Sequence, residues 1–415
     1  MNFIFLNLYF VGLFSLFLLI FVPPGSILLF QVSSFLLILL FNIFLKKFIQ
    51  FKIHNFFSYN LKLYIEPIIF LFIATFFFFF RFSQEPFGMW DAWAMWNAKS
   101  KDFTLDFIEG HHFQFYRETW AHPGYPILIP LQISFIGINI GKFTEVISYL
   151  INYLYIILFW FMMIKDYSQY SNSYLYKLVT FFPFLLNGLI NLASDLCADF
   201  PLSIYFCYVV YLILYHKDFD LYSKKYYHLI LGLSIGILPL IKNEGIFFSF
   251  FITIAFFIKF FKEFNINKFL LFLLGISFPF IFVVYYKINA PEFNPVPITK
   301  DHLLNVLINW ERYMNILLAE LILNVYTLYL FVPIILIYFL YKKYKLSYLY
   351  TIILCLHLTV DFIFLITSSD QVWHLQTAYL RLNLQLVPAF FLITQNIIKE
   401  KLSKEISDKK ITNLV

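Results

Sequence analysis

The sequence predicts an all-α polytopic membrane protein, a single transmembrane domain over residues 1–415 with about 12 membrane-spanning helices. The chain is 61% hydrophobic, its mean hydropathy is +0.77, and only 13% of its residues are charged. A soluble protein of this length does not carry so much apolar surface. The three cysteines, Cys197, Cys207 and Cys355, have neither metal-ligand spacing nor a disulfide pattern.

Twelve apolar runs are long enough to cross about 30 Å of hydrocarbon. They lie at about 3–22, 26–45, 63–81, 143–164, 175–193, 199–215, 227–241, 245–262, 268–286, 316–341, 347–366 and 382–398. The first run is too long for a signal-peptide core and no small-residue cleavage site follows it, so we expect it to remain as a span. Residues 126–141 are also apolar, and we expect a re-entrant or juxtamembrane helix there.

The distribution of basic residues supports this topology. With 126–141 not crossing, 20 of the 30 Lys and Arg residues fall in one set of segments: 46–62, 165–177, 216–225, 259–268, 342–345 and the tail 399–415. The positive-inside rule places this set and both termini in the cytoplasm. A crossing at 126–141 would move two Lys-rich loops outside. The net charge of +6 is therefore a topology signal and does not indicate nucleic-acid binding.

Two long segments are then external, 82–142 and 287–315. The first is the candidate catalytic loop with its juxtamembrane helices. The second contains an amphipathic stretch that predicts an interfacial helix, with one apolar face formed by Leu303, Val306, Leu307, Trp310 and Met314.

The first functional candidate is Asp91, between Trp90 and Trp93 and five residues before Trp96. Three tryptophans at helical spacing predict a stripe at the membrane–water boundary. A carboxylate held there is placed to act as a general base on a molecule with a lipid tail and a polar head. The alternative is an ordinary helix N-cap. Three polar or charged residues of the same loop are candidate substrate ligands: Glu85, Lys99 and His122.

Acidic and basic residues recur at other external ends of the predicted spans. Asp195 and Asp199 precede the sixth span, where capping by Asp199 is the alternative interpretation. Lys242 and Glu244 form a polar hairpin between two apolar spans, and a simple tight turn is the alternative there. A charge at the membrane edge is a functional candidate by default.

His374 and Arg381 precede the last predicted span. The chain has 26 Lys and only four Arg, and all four Arg fall in segments predicted to be external. Arginine offers a planar, bidentate fork that matches phosphate, so Arg381 is a candidate phosphate ligand.

Metal binding is not predicted. The histidines at 111, 112 and 122 with Asp106 and Glu109 are interpreted as a solvated loop, and His357 and Asp361 as a buried pair that satisfies itself. We expect no required cofactor, although the chemistry is compatible with a divalent metal.

Taken in order, these pieces resemble the GT-C class of polytopic glycosyltransferases, which includes protein O-mannosyltransferases and aminoarabinose transferases. The resemblance covers roughly residues 63–398 and is carried by five segments: 90–99, 122–130, 198–202, 236–245 and 373–388. It implies a GT-C-like bundle, a polyprenyl-phosphate sugar donor and Asp91 as the catalytic base. Many members of that class carry an Asp-Glu pair in this loop, whereas this chain has Asp91-Ala92.

The expected function is therefore transfer of a sugar from polyprenyl phosphate to an acceptor hydroxyl on a lipid, glycan or protein. No Gly-rich nucleotide fingerprint is present, so the donor is expected to arrive in the membrane. The expected location is a bacterial inner membrane, with the active site on the external, cell-envelope side. Two alternatives remain open: a flippase or transporter of lipid-linked saccharides, and a surface-polysaccharide polymerase or ligase. A transporter should carry charges through the depth of the bundle and internal repeats.

Overall fold

The structure is a computed structural model that describes residues 2–48, 64–117, 120–216, 221–260, 265–290, 299–322, 348–367 and 370–412. Within these segments all regular elements are helices, which confirms the all-α prediction. Most of the predicted tenth span at 316–341 and the predicted loops at 46–62 and 342–345 lie outside the described residues.

The first half of the chain is a succession of helices joined by short turns. They are α1 Asn2–Phe21, α2 Ile27–Phe48, α3 Ile65–Gln84, a π-helical stretch Ala92–Trp96 continuing into α4 Asn97–Glu109, α5 Leu128–Ile140, α6 Glu145–Met163, α7 Tyr167–Tyr170, α8 Tyr174–Phe181 with a 3₁₀ turn Phe182–Leu185, α9 Asn187–Ser194 and α10 Asp199–Leu214.

The second half continues in the same way. Its helices are α11 Leu221–Ile241, α12 Gly245–Phe260, α13 Ile266–Asn289, α14 Lys300–Ile308, α15 310–322, α16 Tyr348–Ile366, α17 Gln371–His374, a π-helical stretch Leu375–Tyr379, α18 Leu380–Leu384 and α19 Val387–Thr412.

Five of the described helices, α1, α3, α6, α13 and α16, are long and apolar enough to cross a membrane. A sixth span results if α8 and α9, bent by 42° at their junction, are taken together. The predicted span 175–193 is therefore a broken one, and the predicted span 382–398 begins instead with α18 and a turn. The membrane-spanning character is supported, while the number twelve stays a prediction.

The segment predicted to be re-entrant forms α5, which has 13 residues and is buried over most of its length. At ~1.5 Å per residue it is about 20 Å long, too short to span the hydrocarbon. It packs against α1, where Ser15 and Ser134 share a hydrogen bond of 3.2 Å and Gln132 donates to the carbonyl of Leu8. The amphipathic stretch in the second external segment is divided between α14 and α15, and its Trp310 is 72% exposed.

Helix α10 is the centre of the bundle and defines its two ends. Every residue from Asp199 to Ile213 is buried. At ~1.5 Å per residue, the ends of this helix are about 24 Å apart. We call the end around Asp91 and Asp199 the Asp91 end, and the opposite one, around Asp166 and Tyr215, the Asp166 end.

Helices α11 and α13 touch through glycine. A Cβ at Gly232 would lie 2.3 Å from the carbonyl oxygen of Phe272, and one at Gly275 would lie 2.3 Å from that of Leu229. Only glycine allows such an approach, as in small-residue seams between membrane helices. The seam fixes the half of α11 that leads to the Asp91 end, before Lys242.

Candidate functional site

An ion pair between Asp91 and Arg381 joins the segment after α3 to the last helices of the chain. Nη1 of Arg381 donates to Oδ2 of Asp91 at 2.6 Å, and the two side chains are 22% and 21% exposed. Asp91 makes no side-chain cap hydrogen bond. The interpretation of Asp91 as an N-cap is therefore wrong, because its carboxylate bonds a distant guanidinium.

Both partners adjoin a π-helical stretch. Residues 92–96 follow Asp91 directly, and 375–379 end two residues before Arg381. Single π-helical turns are rare and occur frequently at functional sites, where they turn a side chain away from the regular helical direction.

The first of these stretches also overturns the predicted tryptophan stripe. Trp90 and Trp93 are 51% and 53% exposed and pack edge to face, but Trp96 is 1% exposed and packs against Tyr125. The wider π turn changes the period on which the prediction relied. The boundary feature therefore consists of two tryptophans, and Trp96 belongs to the core.

A second, fully buried ion pair lies beside the first. Nζ of Lys242 donates to Oδ1 of Asp199 at 2.8 Å and lies 3.1 Å from Oε1 of Glu244. Nε2 of Gln385 donates to the same oxygen of Asp199 at 2.5 Å. Burial disfavours the ammonium, but the carboxylates of Asp199 and Glu244 outweigh it and raise the pKa of Lys242. The N-cap of α10 is Ala198, and Asp199 is the first residue of the helix, so the capping interpretation is wrong here as well.

The two pairs are electrostatically connected. Burial disfavours the charged form of Arg381, yet the negative charges of Asp199 and Asp91 outweigh it and raise the pKa of the guanidinium. Nη1 of Arg381 also lies 3.6 Å from the sulfur of Cys197. The segments that carry Asp91, Asp199, Lys242 and Arg381 therefore converge on one end of α10.

Asp195 occupies a strained turn next to these pairs. Leu196 has φ of 56°, which a bulky residue rarely adopts, and such strain concentrates at functional sites. The N–H of Met89 donates to the carbonyl of Asp195, and a Cβ at Gly88 would lie 2.8 Å from that oxygen. Burial raises the pKa of the Asp195 carboxyl to about 7, against the opposing charge of Arg381. A carboxyl that titrates near neutrality is suited to proton transfer.

Glu85 lies at the edge of this turn. Its carboxylate pairs with Arg81 at 2.9 Å, and its carbonyl accepts a hydrogen bond from the hydroxyl of Tyr149. Its negative charge contributes to the raised pKa of Asp195, so it faces the site from the end of α3.

Lys99 supports the site from behind. Its side chain is fully buried, and its Nζ donates to the carbonyls of His122, Pro123 and Tyr125 at 3.0, 3.3 and 2.8 Å. Burial lowers the pKa of Lys99 to about 7. These three bonds hold the 122–125 turn. The ammonium of Lys99 therefore lies beneath this turn, bonded to backbone carbonyls, and not among the charged groups of the site.

His122 and His374 differ in position. Burial lowers the pKa of His122, and the charge of Asp91 opposes this, so the imidazole lies near the first pair. His374 instead shares a hydrogen bond of 3.1 Å with Thr367 and stacks on Trp373. None of its described contacts is with Asp91, Asp199 or Lys242.

Some buried polar atoms at the Asp91 end have no hydrogen-bond partner among the described residues. They are Nε of Arg81, Nε of Arg381, Oε2 of Glu244 and Oε1 of Gln385. A buried polar atom without a partner is costly, so such groups indicate a place where a ligand or water binds. Both donors and acceptors are represented among these four atoms.

A narrow apolar cleft lies beside this site. Residues of α1, α5, α11 and α13 line it, among them Pro239 inside α11, together with Pro126 directly before α5. Lys287 stands at its polar rim, where its Nζ donates to the carbonyl of Gly124 and to Oδ1 of Asn243, both at 2.6 Å. Among the described residues neither Asp91 nor Arg381 lines the cleft, so it adjoins the charged groups without containing them.

Sequence reasoning missed Gln385 and the cluster of Glu320 with His357 and Asp361. Gln385 lies in an apolar run, and an isolated amide there is the signal that would have found it. His357 was paired with Asp361 by spacing, yet its Nε2 is 2.7 Å from Glu320 and 3.8 Å from Asp361. The residues at 111 and 112 are exposed, as predicted for a solvated loop.

No protein-family model matches this chain, and no curated protein and no solved structure matches it either.

Proposed function

We propose that the protein is a membrane glycosyltransferase that moves a sugar from a polyprenyl-phosphate donor to an acceptor hydroxyl at the external face of a bacterial inner membrane. The observation that carries this proposal is the Asp91–Arg381 pair, in which a carboxylate and a guanidinium meet at one end of an apolar bundle. The motif resemblance to the GT-C class supports the same reaction.

In this mechanism the donor phosphate competes with Asp91 for Arg381. The phosphodiester of the donor carries one negative charge, as a carboxylate does, but its two non-bridging oxygens match the guanidinium fork in two places, and its charge grows as the sugar is transferred. Nε of Arg381 has no partner among the described residues and is available for the second bond. Binding of the donor therefore releases the carboxylate of Asp91 at the moment it is needed.

The released carboxylate then takes the proton of the acceptor hydroxyl. The acceptor oxygen forms a bond to the anomeric carbon while the bond from that carbon to the phosphate oxygen breaks. Polyprenyl phosphate leaves with the electron pair, and Arg381 stabilises the charge that grows on it. Lys242 adds positive charge behind Asp199, which with Asp195 and Glu244 is placed to orient sugar or acceptor hydroxyls.

The apolar cleft supports a lipid-linked donor. It opens next to the loops of Lys242 and His122, and Lys287 marks the level of its polar rim. A lipid chain lying against this apolar surface would leave its head group at the height of the charged residues.

The test is mass spectrometry of envelope lipids and glycans from a deletion strain. We expect one sugar to be missing from an acceptor and a polyprenyl-phosphate sugar to accumulate. Wild-type protein and the exposed-site control Glu109→Gln should restore the product. Asp91→Asn keeps the shape but not the basicity and should lower transfer by about 10²-fold or more.

A flippase predicts a different result. In that case the accumulated lipid-linked sugar would remain on the cytoplasmic leaflet, where periodate added to spheroplasts does not oxidise it. Full oxidation by external periodate supports the transferase. Restoration of the product by Asp91→Asn would refute the assigned base.

A further inference from the structure

A second buried polar cluster, separate from the Asp91 end pairs, joins three helices. It contains Glu320 of α15, His357 and Asp361 of α16, and Tyr379 at the end of the second π-helical stretch. Nε2 of His357 lies 2.7 Å from Oε1 of Glu320 and 3.8 Å from Oδ2 of Asp361. His357 is 6% exposed, and the reactive atoms of the three ligand-type side chains all lie within 4.8 Å of one another.

In this cluster one tyrosine hydroxyl contacts both carboxylates. The hydroxyl of Tyr379 contacts a carboxylate oxygen of Glu320 and lies 2.6 Å from Oδ1 of Asp361. A hydroxyl has one hydrogen, so Tyr379 donates to only one of the two carboxylates at a time. Two carboxylates facing each other inside an apolar bundle are unfavourable unless a cation or an additional proton lies between them.

Asn383 lies beside the cluster and fixes the orientation of the imidazole of His357. Its Nδ2 donates to the carbonyl of Tyr379 at 3.1 Å, which turns Oδ1 toward His357. That oxygen lies 2.6 Å from Nδ1 of His357, so Nδ1 carries the hydrogen and donates it. Nε2 then faces the carboxylates, and at 2.7 Å from Oε1 of Glu320 it needs either a proton or a metal ion between the two atoms. This is how a metal-binding histidine is held, with its other N–H donated to an oxygen behind it.

We propose that Glu320, His357 and Asp361 bind one divalent transition-metal ion of the zinc or manganese class. One imidazole and two carboxylates suit these ions better than Mg²⁺ or Ca²⁺, which prefer oxygen ligands alone. A divalent charge balances both carboxylates, whereas an imidazolium balances only one. The close grouping of the ligand atoms requires little rearrangement, because oxygen and nitrogen ligands at about 2.0–2.2 Å from zinc are themselves only a few ångströms apart.

The site would act as a structural link. It joins α15 and α16 to the segment that carries Tyr379 and Asn383, and Arg381 lies between those two residues on α18. A bound ion would therefore hold the helix from which Arg381 projects. This role does not depend on the reaction proposed above.

The experiment uses the full-length protein in detergent, freed of metal with a chelator and then titrated with Zn²⁺ or Mn²⁺ alone. We expect about one ion per chain by calorimetry and elemental analysis. Substitution by Co²⁺ should give visible absorption bands that report ligand geometry. Glu320→Gln and His357→Ala should abolish these bands, and Asn383→Ala should weaken binding by about 10–100-fold.

Two controls make the result specific. Glu311→Gln, an exposed carboxylate on the same helix as Glu320, should leave binding unchanged. His111→Ala with His112→Ala removes a surface pair able to chelate metal. The proposal is refuted if wild-type protein takes up no stoichiometric ion, which would leave an additional proton between the carboxylates. It is equally refuted if binding survives His357→Ala and disappears with the surface pair. Asp361→Asn, nearly isosteric, serves if a larger change prevents folding.

Discussion

The two ends of the bundle differ in how completely their buried charges are paired. At the Asp166 end, Oδ2 of Asp166 accepts hydrogen bonds from Nζ of Lys399 at 2.5 Å and from the hydroxyl of Tyr215 at 2.9 Å. Near it, Lys177 pairs with Glu66 at 2.8 Å. Each of these carboxylates has its own ammonium partner and a tyrosine hydroxyl, as expected for contacts that hold helices together.

At the Asp91 end the groups do not balance. Four carboxylates, Asp91, Asp195, Asp199 and Glu244, share Arg381 and Lys242. Several polar atoms there lack partners among the described residues. The difference between the two ends shows that burial of charge alone does not indicate function. Incomplete pairing, next to a strained turn and two π-helical stretches, is the more informative sign.

The largest expected effect is on stability, at the most buried pair. Asp199 and Lys242 are 1% and 6% exposed. Lys242→Met leaves the Asp199 carboxylate buried without its ammonium and should lower the free energy of unfolding by about 3–5 kcal/mol. Asp166→Asn, at the better balanced and more exposed pair, should cost about 1.5–3 kcal/mol. Denaturant unfolding in detergent measures both.

The double variant Asp199→Asn with Lys242→Met sharpens this comparison. It removes both charges, so much of the loss should be recovered if the penalty comes from an unpaired buried charge. Equal losses at the two ends would contradict the view that they treat charge differently.

The next effect concerns turnover and separates the ends directly. Arg381→Ala should lower sugar transfer by about ten- to a hundredfold, the equivalent of a charge-assisted contact of roughly 1.5–3 kcal/mol. Arg381→Lys keeps the charge but loses the fork and should be intermediate. Lys399→Ala, at the Asp166 end, should keep the activity per folded molecule. Kinetics with purified protein and a short-chain polyprenyl-phosphate sugar measure these rates.

Loss of activity in Lys399→Ala at unchanged stability would show that the Asp166 end also takes part in the reaction. Unchanged donor binding and turnover in Arg381→Ala would leave Arg381 as an anchor only.

The smallest effect is a pH dependence at Asp195. Burial raises its folded-state pKa from 3.8 to about 7, so the folded protein holds this proton more tightly than the unfolded chain. The resulting stability is present below about pH 4 and is lost as the pH rises through about 7. Asp195→Asn cannot ionise and should melt roughly 1–3 °C above wild type at pH 8, with a smaller difference at pH 5.5. A difference that does not change with pH would contradict the raised pKa.

The broad arrangement followed from the sequence because its causes are local. Apolar runs give the helices, and lysine counts group the loops by side. Asp91, Asp199, Lys242 and Arg381 come from segments placed on one side by that count, and the structure brings these four side chains together. Asp166 and Lys399 come from segments placed on the other side, and they also meet.

The remaining features depend on geometry that local patterns do not contain. Trp96 was assigned to the boundary because the prediction assumed a regular helix, and a π turn buried it. Lys99 was assigned to the substrate, but the carbonyls that occupy it come from a turn more than twenty residues later. The partnership of Asp91 with Arg381 links residues 290 positions apart, and only tertiary packing decides it.

The glycine contact between α11 and α13 also has a mechanical consequence. Two backbones in direct contact have no side chains between them to rearrange, so we expect α11 and α13 to move as one rigid unit. Lys242 and Lys287 lie at the Asp91 end of this helix pair. There Lys287 donates hydrogen bonds to Asn243, which follows α11, and to the carbonyl of Gly124 in the first loop. Any widening of the apolar cleft must therefore displace its other walls, α1 and α5, while the lysine side stays fixed.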